Sequence, residues 1–539
     1  MLKKILKNKR LALGAAVLAT FLAVAPTMAC EAASSAYAQS ERPEPPNWDG
    51  NGQPPAPPTD ENGNPLPPPN RSGNEGSGNR HDPPNGSDHG QPPAPPTDEN
   101  GNPLPPPDWN GDNGNRPAPP DGSGHGQPPQ GGPAGRGQDA QNADSLSASC
   151  VADKETATME GKSLSAAGPD VSVVLARNGA ALALQNMALH KSGDTTSEEG
   201  SNFTGQNAVL LANNSRVEIS DSTLSSDAEG ANAIFATGKN AGITARHVVI
   251  RTSGNSSRGL DATYGGTVKA DDADIETQGA HCAALATDRG EGTIAVTNGK
   301  LVTRGEGSPC IYSTGSISIA DSAGESFGSE IAVVEGKNSI DIQRSNLTGH
   351  QRNGVMLYQS FSGDADVGVA RFTAKDSTLT NLSDGAMFYV TNTKAEITLD
   401  NVSISTPGSA PLLRAASGRW GRDGKNGGDA TLTAAHQILA GDVEADALSQ
   451  VSLLLGEGSD WTGALDSAGT ARESSLHLAK GAHWSLTADS CVGAFSDDLG
   501  DFSNIDSNGF SVYYDSEKSP SLQGRTYSLP GGGQIVPRN

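Results

Sequence analysis

GAHCAALATDRGEGTIAVTNGKLVTRGEGSPCIYSTGSISIA, residues 279–320, makes the same statement twice. A cysteine opens a short apolar run that ends in Ala-Thr or Ser-Thr. A second run, TIAV or SISIA, then alternates apolar with polar residues. Alternation of period two sends one face of a strand inward and the other to water. Repetition at about one strand-turn-strand length asks for layers rather than a single globule.

Working outward, the unit recurs as apolar-x-apolar-x-polar-x-x-apolar ten times, at spacings of 23 to 35 residues. Its central polar position reads Asn186, Asp221, His247, Asp272, Asn298, Asp321, Arg344, Asp376, Asn401 and His436. Asn and Asp tolerate left-handed backbone and bond their own main chain, so this column predicts a bend between two strands. A row of carboxylates binding cations or substrate is the other reading, and it fits poorly with an arginine and two histidines in the row. The expected fold is all-β: a single-stranded parallel β-helix of about 10–12 coils over residues 150–515, with 516–539 as a flexible tail.

The rest of the chain differs in kind. MLKKILKNKR carries five basic residues and LALGAAVLATFLAVA an apolar run, the pattern of an export leader within 1–38. Cleavage after Ala29 or after Ala38 is expected. Thr27-Met28-Ala29-Cys30 reads alternatively as a lipidation box on Cys30, with Thr where Leu is usual. No second long apolar run follows, so no transmembrane span is expected. From the C-terminal residues, SLPGGGQIVPRN, neither sortase anchoring nor an autotransporter translocator is expected. Residues 39–145 are rich in Pro, Gly, Asn and Asp, and GQPPAPPTDENGNPLPPP occurs identically at 52–69 and 90–107. Little there can be buried, so a solvated, polyproline-rich disordered spacer is expected. DWNGDNGN (108–115) lacks the Gly and Glu of an EF-hand loop, so no metal is expected, and no cofactor.

The net charge is −24, and losing the leader makes the chain more acidic still. Phosphate backbones are repelled by such a surface, so nucleic acid is not an expected partner. With 66 glycines and 4% aromatic residues, a conventional core is hard to build, whereas thin repeated layers are feasible. Among the cysteines, Cys282 and Cys310 open adjacent coils but stand one residue out of step. A disulfide between them and a pair of buried thiols are both open. Cys150 and Cys491 lie before the first and after the last coil, too far apart to bridge.

The block 150–515 resembles secreted right-handed parallel β-helix proteins of anaerobic bacteria, of pectin-lyase-like fold, described as surface or adhesin-like. The resemblance rests on VVEGKNSI (333–340), NGVMLYQSFSGDA (353–365), MFYVTNTKAEITL (387–399), RWGRDGKNGG (419–428), HWSLTADS (483–490) and NIDSNGFSVYYD (504–515). It implies the right hand of the coil and carries no functional residues with it.

Three turns after the first strand are lengthened: DRGEG (288–292), FSGDADVG (361–368) and ASGRWGRDGKNGG (416–428). The last two lie two coils apart, about 10 Å along the axis. Asp364 and Asp366 are expected to pair with Arg419 or Arg422, while Tyr358 and Trp420 offer flat faces for sugar rings. Two function classes follow. One is a secreted or cell-surface, non-catalytic, adhesin-like module whose partners are glycans or host or bacterial surface components. The other is a polysaccharide lyase or glycoside hydrolase acting on acidic polysaccharide. The densest acidic cluster, Asp271, Asp272 and Asp274, lies at the bend column with only Lys269 beside it, and neither the pectate lyase nor the polygalacturonase signature is present. The enzyme reading is therefore the weaker, and oligomeric state stays open.

Overall fold

A computed structural model describes residues 29–30, 143–408 and 410–538. The expected leader, its cleavage points, lipidation of Cys30 and the spacer through 142 lie outside these, apart from the backbone of Ala29–Cys30. That pair runs antiparallel to Ser147–Asp153, with Cys30 opposite Cys150. Cys150 is disulfide-bonded, and Cys491 is a free thiol.

From Ser147 onward the chain winds as a parallel β-solenoid of about 16 turns, more than the 10–12 expected. One face is a sheet of successive short strands in which Val174, Leu210, Ile234, Leu260, Leu285, Ile311, Ala332, Val355, Phe388, Leu413 and Val443 stack in register. All eleven are fully buried. Each large aliphatic member contributes about 1.5–3 kcal/mol by leaving water. The column is one residue wide, which is how a glycine-rich chain excludes water without bulky side chains.

The other faces are formed by strands that pass through the predicted bend. In three turns they run on as single 11-residue strands, Arg216–Ser226, Gly242–Thr252 and Thr267–Thr277; later they split, as in Thr293–Thr297 and Lys300–Thr303. All ten residues of the bend column have positive φ, between 46° and 55°. Their side chains bond along the column. Arg344 donates twice to Asp321 at 2.8 Å, Asn401 donates to Asp376 at 2.7 Å, and the His247 ring lies 3.3 Å from the Asp221 carboxylate. The arginine and histidines that break the Asn/Asp pattern thus serve the same structural ladder.

Tight stacking also explains part of the glycine count. A Cβ on Gly279 would lie 2.1 Å from the Gly254 carbonyl oxygen of the turn beneath, so nothing larger fits.

One expectation is corrected here, and one open alternative is decided. Residues 516–538 are not a free tail: Gln534–Arg538 pairs parallel with Val512–Asp515 and antiparallel with Tyr527–Ser528, and Ile535 is fully buried. Cys282 and Cys310 are both buried free thiols, not a disulfide. In register, Leu285 faces Ile311, which sets Cys310 beside Ala284 rather than beside Cys282. Cys282 instead takes a serine's place in a turn ladder. The Ala231 amide donates to Ser257 Oγ at 2.9 Å, the Ser257 amide to Cys282 Sγ at 3.0 Å, and the Cys282 amide to Ser308 Oγ at 2.9 Å.

Candidate functional site

Strands Val355–Tyr358, Phe388–Thr391 and Leu413–Ala415 are consecutive neighbours in the first sheet. The first and third are followed by the long turns 359–368 and 416–428, the middle one only by Asn392–Thr393. Two tall turns therefore straddle a short one, leaving a groove of about 550 Å³ between them.

The bracing of the first long turn differs from expectation. Asp364 pairs with Arg289, at 3.0 Å from Nε and 2.8 Å from Nη2, and Asp366 pairs with Lys337 at 3.0 Å. Lys337 also holds Glu291 at 2.6 Å. The 364–366 part of the turn is thus fastened to the N-terminal coils, while Phe361 stays beside Trp420. Gly336 permits this: at φ +67°, a Cβ there would lie 2.4 Å from the Asp366 carbonyl oxygen. Arg419 and Arg422 are exposed and pair with neither aspartate; the Arg419 guanidinium lies 4.6 Å over the Trp420 ring.

The aromatic residues do converge. Trp420 lies 5.3 Å from Tyr358 and 6.5 Å from Phe361, tilted by about 50° to each. Tyr358 is buried, its hydroxyl donating to Glu335 at 2.8 Å, so it supports Trp420 from below rather than offering a face. The accessible surfaces are the half-buried Trp420 and Phe361, which is 60% exposed. Asn426 holds the 416–428 turn in shape by donating to the carbonyls of Gly418 at 2.7 Å and Trp420 at 2.9 Å.

Beside this flank lies a cluster that the sequence reading missed. Arg258, nearly buried, sits between Asp288, 3.1 Å from Nη2, and Asp261, 3.7 Å from Nε. Neither oxygen of the fully buried Asp261 carboxylate has a well-formed hydrogen bond. Glu335, also buried, accepts from Tyr312 at 2.5 Å, from Tyr358 and from Ser360. These acids occupy outward positions of the first sheet, where alternation would put them in water. The insertion 194–206 covers the Asp261 and Asp288 side, while the 359–368 turn lies over Glu335 through Ser360. The insertion is fastened by Arg258 donating to Asn202 at 2.7 Å, Thr263 donating to the Phe203 carbonyl at 2.9 Å, and Arg289 lying 3.9 Å over the Phe203 ring. The sequence did carry a signal: the spacing from Asn186 to Asp221 is 35 residues, among the longest of the series.

Burial raises the Asp288 carboxyl to about 6; Arg258 opposes this, while Asp364 and Glu335 add to it and Arg289 opposes. Burial first, then the neighbouring Asp288 charge, pushes Asp261 well above the carboxylate range against the pull of Arg258. Folded Asp288 therefore holds a proton that the unfolded chain gives up. Its stabilising contribution is complete below the usual carboxylate pKa of 3.8 and is lost as pH rises through about 6. Unfolding free energies of wild type and Asp288→Asn between pH 4 and 8 should diverge over that window. Wild type should lose on the order of 1–3 kcal/mol relative to the variant as pH rises. A difference that stays flat with pH would refute the assignment.

Among the described residues no group of three or more His, Cys, Asp or Glu could hold a metal ion, and no helix is long and apolar enough to cross a membrane. Compared with family models and with curated proteins, the chain matches none.

Proposed function

We propose that this is an exported, non-catalytic solenoid module of the pectin-lyase-like kind, acting in an adhesin-like way by holding saccharides on its long-turn flank. The observation that carries the reading is the pair Trp420 and Phe361. The exposed Phe361 and the half-buried Trp420 stand 6.5 Å apart on turns that rise from registered strands. Aromatic faces in such a setting suit the apolar faces of pyranose rings. The leader pattern of residues 1–38 supports export, and the Pro-rich segment would hold the rod away from a surface. The lyase or hydrolase reading is less well supported, because the strongly perturbed acids are covered and tied to Arg258 and to hydroxyl groups.

Glycan-array binding tests the proposal. Trp420→Ala should weaken the best-bound glycan by about 1 kcal/mol, or roughly fivefold, with an unchanged far-UV spectrum. Full binding by Trp420→Ala and Phe361→Ala alike would remove the proposal's basis. Turnover of polygalacturonate, seen as unsaturated products or new reducing ends, would replace it with the enzyme reading.

A further inference from the structure

The groove between the two long turns is lined by three cations and one carboxylate, in a chain of net charge −24. Its floor is the short turn at Asn392–Thr393 with Lys394, and its walls come from Val367 and Gly368 on one side and Gly424 and Lys425 on the other. Arg472 closes the far end. It is held at 2.5 Å from Asp429, donating also to the Leu448 carbonyl at 2.9 Å and to Gln450 at 3.0 Å. Asp429 is the one carboxylate in the lining, and Arg472 engages it. Lys394 and Lys425 are exposed, and neither forms an ion pair among the described residues. Two unneutralised ammonium groups thus face one concavity in a chain of net charge −24.

Several long cations elsewhere are engaged in ion pairs. Lys337 holds Glu291 and Asp366, Lys375 holds Asp400, Arg371 holds Glu396 and Arg304 holds Glu276. Unpaired lysines also stand singly elsewhere, as at Lys239 and Lys269, whereas here two of them border one concavity of ligand size. A concave site with low-dielectric walls concentrates the field of such charges. Lysine is a compact point charge with three rotatable donors, suited to carboxylate or sulfate oxygens that vary in orientation. Asn392 has one amide hydrogen committed, donated to the Gln359 carbonyl at 2.7 Å. An anionic ligand would be read chiefly through the two ammonium groups.

We infer that this groove is a subsite for an anionic saccharide unit, carboxylated or sulfated, with Lys394 and Lys425 as its charge-reading groups. The inference rests on the reading of this flank as saccharide-binding and specifies the class of sugar. The test uses the full chain and three probes of matched length: an oligogalacturonate, its fully methyl-esterified form, and a sulfated dextran fragment. Binding is followed by calorimetry at 50 and 300 mM salt. The first or the third probe should bind and the ester should not, with affinity falling at the higher salt. Which of the two anions binds more tightly tells carboxylate from sulfate. The double variant Lys394→Gln, Lys425→Gln should lose at least tenfold for the anionic probe, and the corresponding double arginine variant should keep it. Equal binding of ester and acid, unchanged binding by the glutamine variant, or no binding of any probe would overturn the inference. Trp420→Ala separates it from the parent proposal. If that variant binds the acid normally while the glutamine variant does not, the anionic subsite stands and the aromatic platform falls.

Discussion

Replacing Arg258 by methionine lowers the stability of the folded chain by about 3–5 kcal/mol at pH 7. The guanidinium is 12% exposed and has Asp288 and Asp261 on either side, 6% and 0% exposed. Methionine fills much of the same volume but leaves both carboxylates beneath the 194–206 insertion without their cation. Breaking one side of a buried ion pair costs far more than the pair itself contributes, because the remaining charge has nowhere to be solvated. The acids then escape by taking up protons, which is cheaper at lower pH. The deficit measured by denaturant unfolding should therefore be smaller at pH 5 than at pH 7. Adding Asp261→Asn and Asp288→Asn to the methionine variant should recover a large part of the loss, since no charge is left stranded. A methionine variant as stable as wild type at pH 7 would mean that water reaches the cluster.

The second large effect is expected at the other end of the solenoid. Trp461 and Trp484 face each other in register on Asp460–Thr462 and His483–Ser485, with ring centroids 5.3 Å apart and planes 4° from parallel. Both are fully buried, and each indole N–H donates to a carbonyl of the turn beneath, Gly441 at 3.0 Å and Gly463 at 2.9 Å. From Trp484 the contact continues through Phe495 and Phe502 to Tyr527 in the last hairpin. Trp484→Ala removes the middle of that chain and leaves a cavity and an unpaired carbonyl. A loss of about 3–5 kcal/mol follows from the size of the deleted group. Because each turn touches only its neighbours, the loss should stay local. Hydrogen exchange should accelerate across 438–538 while amides of 210–400 keep their protection. Equal acceleration along the whole rod would show that the solenoid unfolds as one unit.

What could be read from the residues alone and what could not divide along one physical line. The bend column was readable because its cause is local. A left-handed residue between two alternating runs is written in a handful of adjacent positions, and it recurs often enough to be recognised even where arginine or histidine stands in it. Parallel stacking follows, because such a unit can bury its apolar face only against copies of itself. The later turns escaped notice because several of their strands shrink to two or three residues, as at Asp460–Thr462 and Ile505–Asp506, so the full unit no longer recurs. The tail was misread for the same reason: GGGQIVPRN looks solvated until Ile535 is seen beneath its neighbours.

At the flank, the sequence located the two long turns and placed Tyr358 near Trp420, but assigned Asp364 and Asp366 the wrong partners. Spacing along a solenoid tells which turns are near one another. It does not tell which coils a long turn is fastened to, and here a close approach over Gly336 lets Arg289 and Lys337, rather than Arg419, hold 364–366. Asp261, Asp288 and Glu335 were hidden more deeply still, since an acidic residue at an outward strand position reads as solvated. An insertion starting at residue 194 puts the first two under cover by reaching across to coils as many as 90 residues downstream, as in the Arg289–Glu199 contact, and the 359–368 turn caps the third. Alternation and bends depend on a residue and its nearest neighbours, so the linear sequence determines them. Burial of a charge depends on what lies on top of it, and only the folded chain decides that.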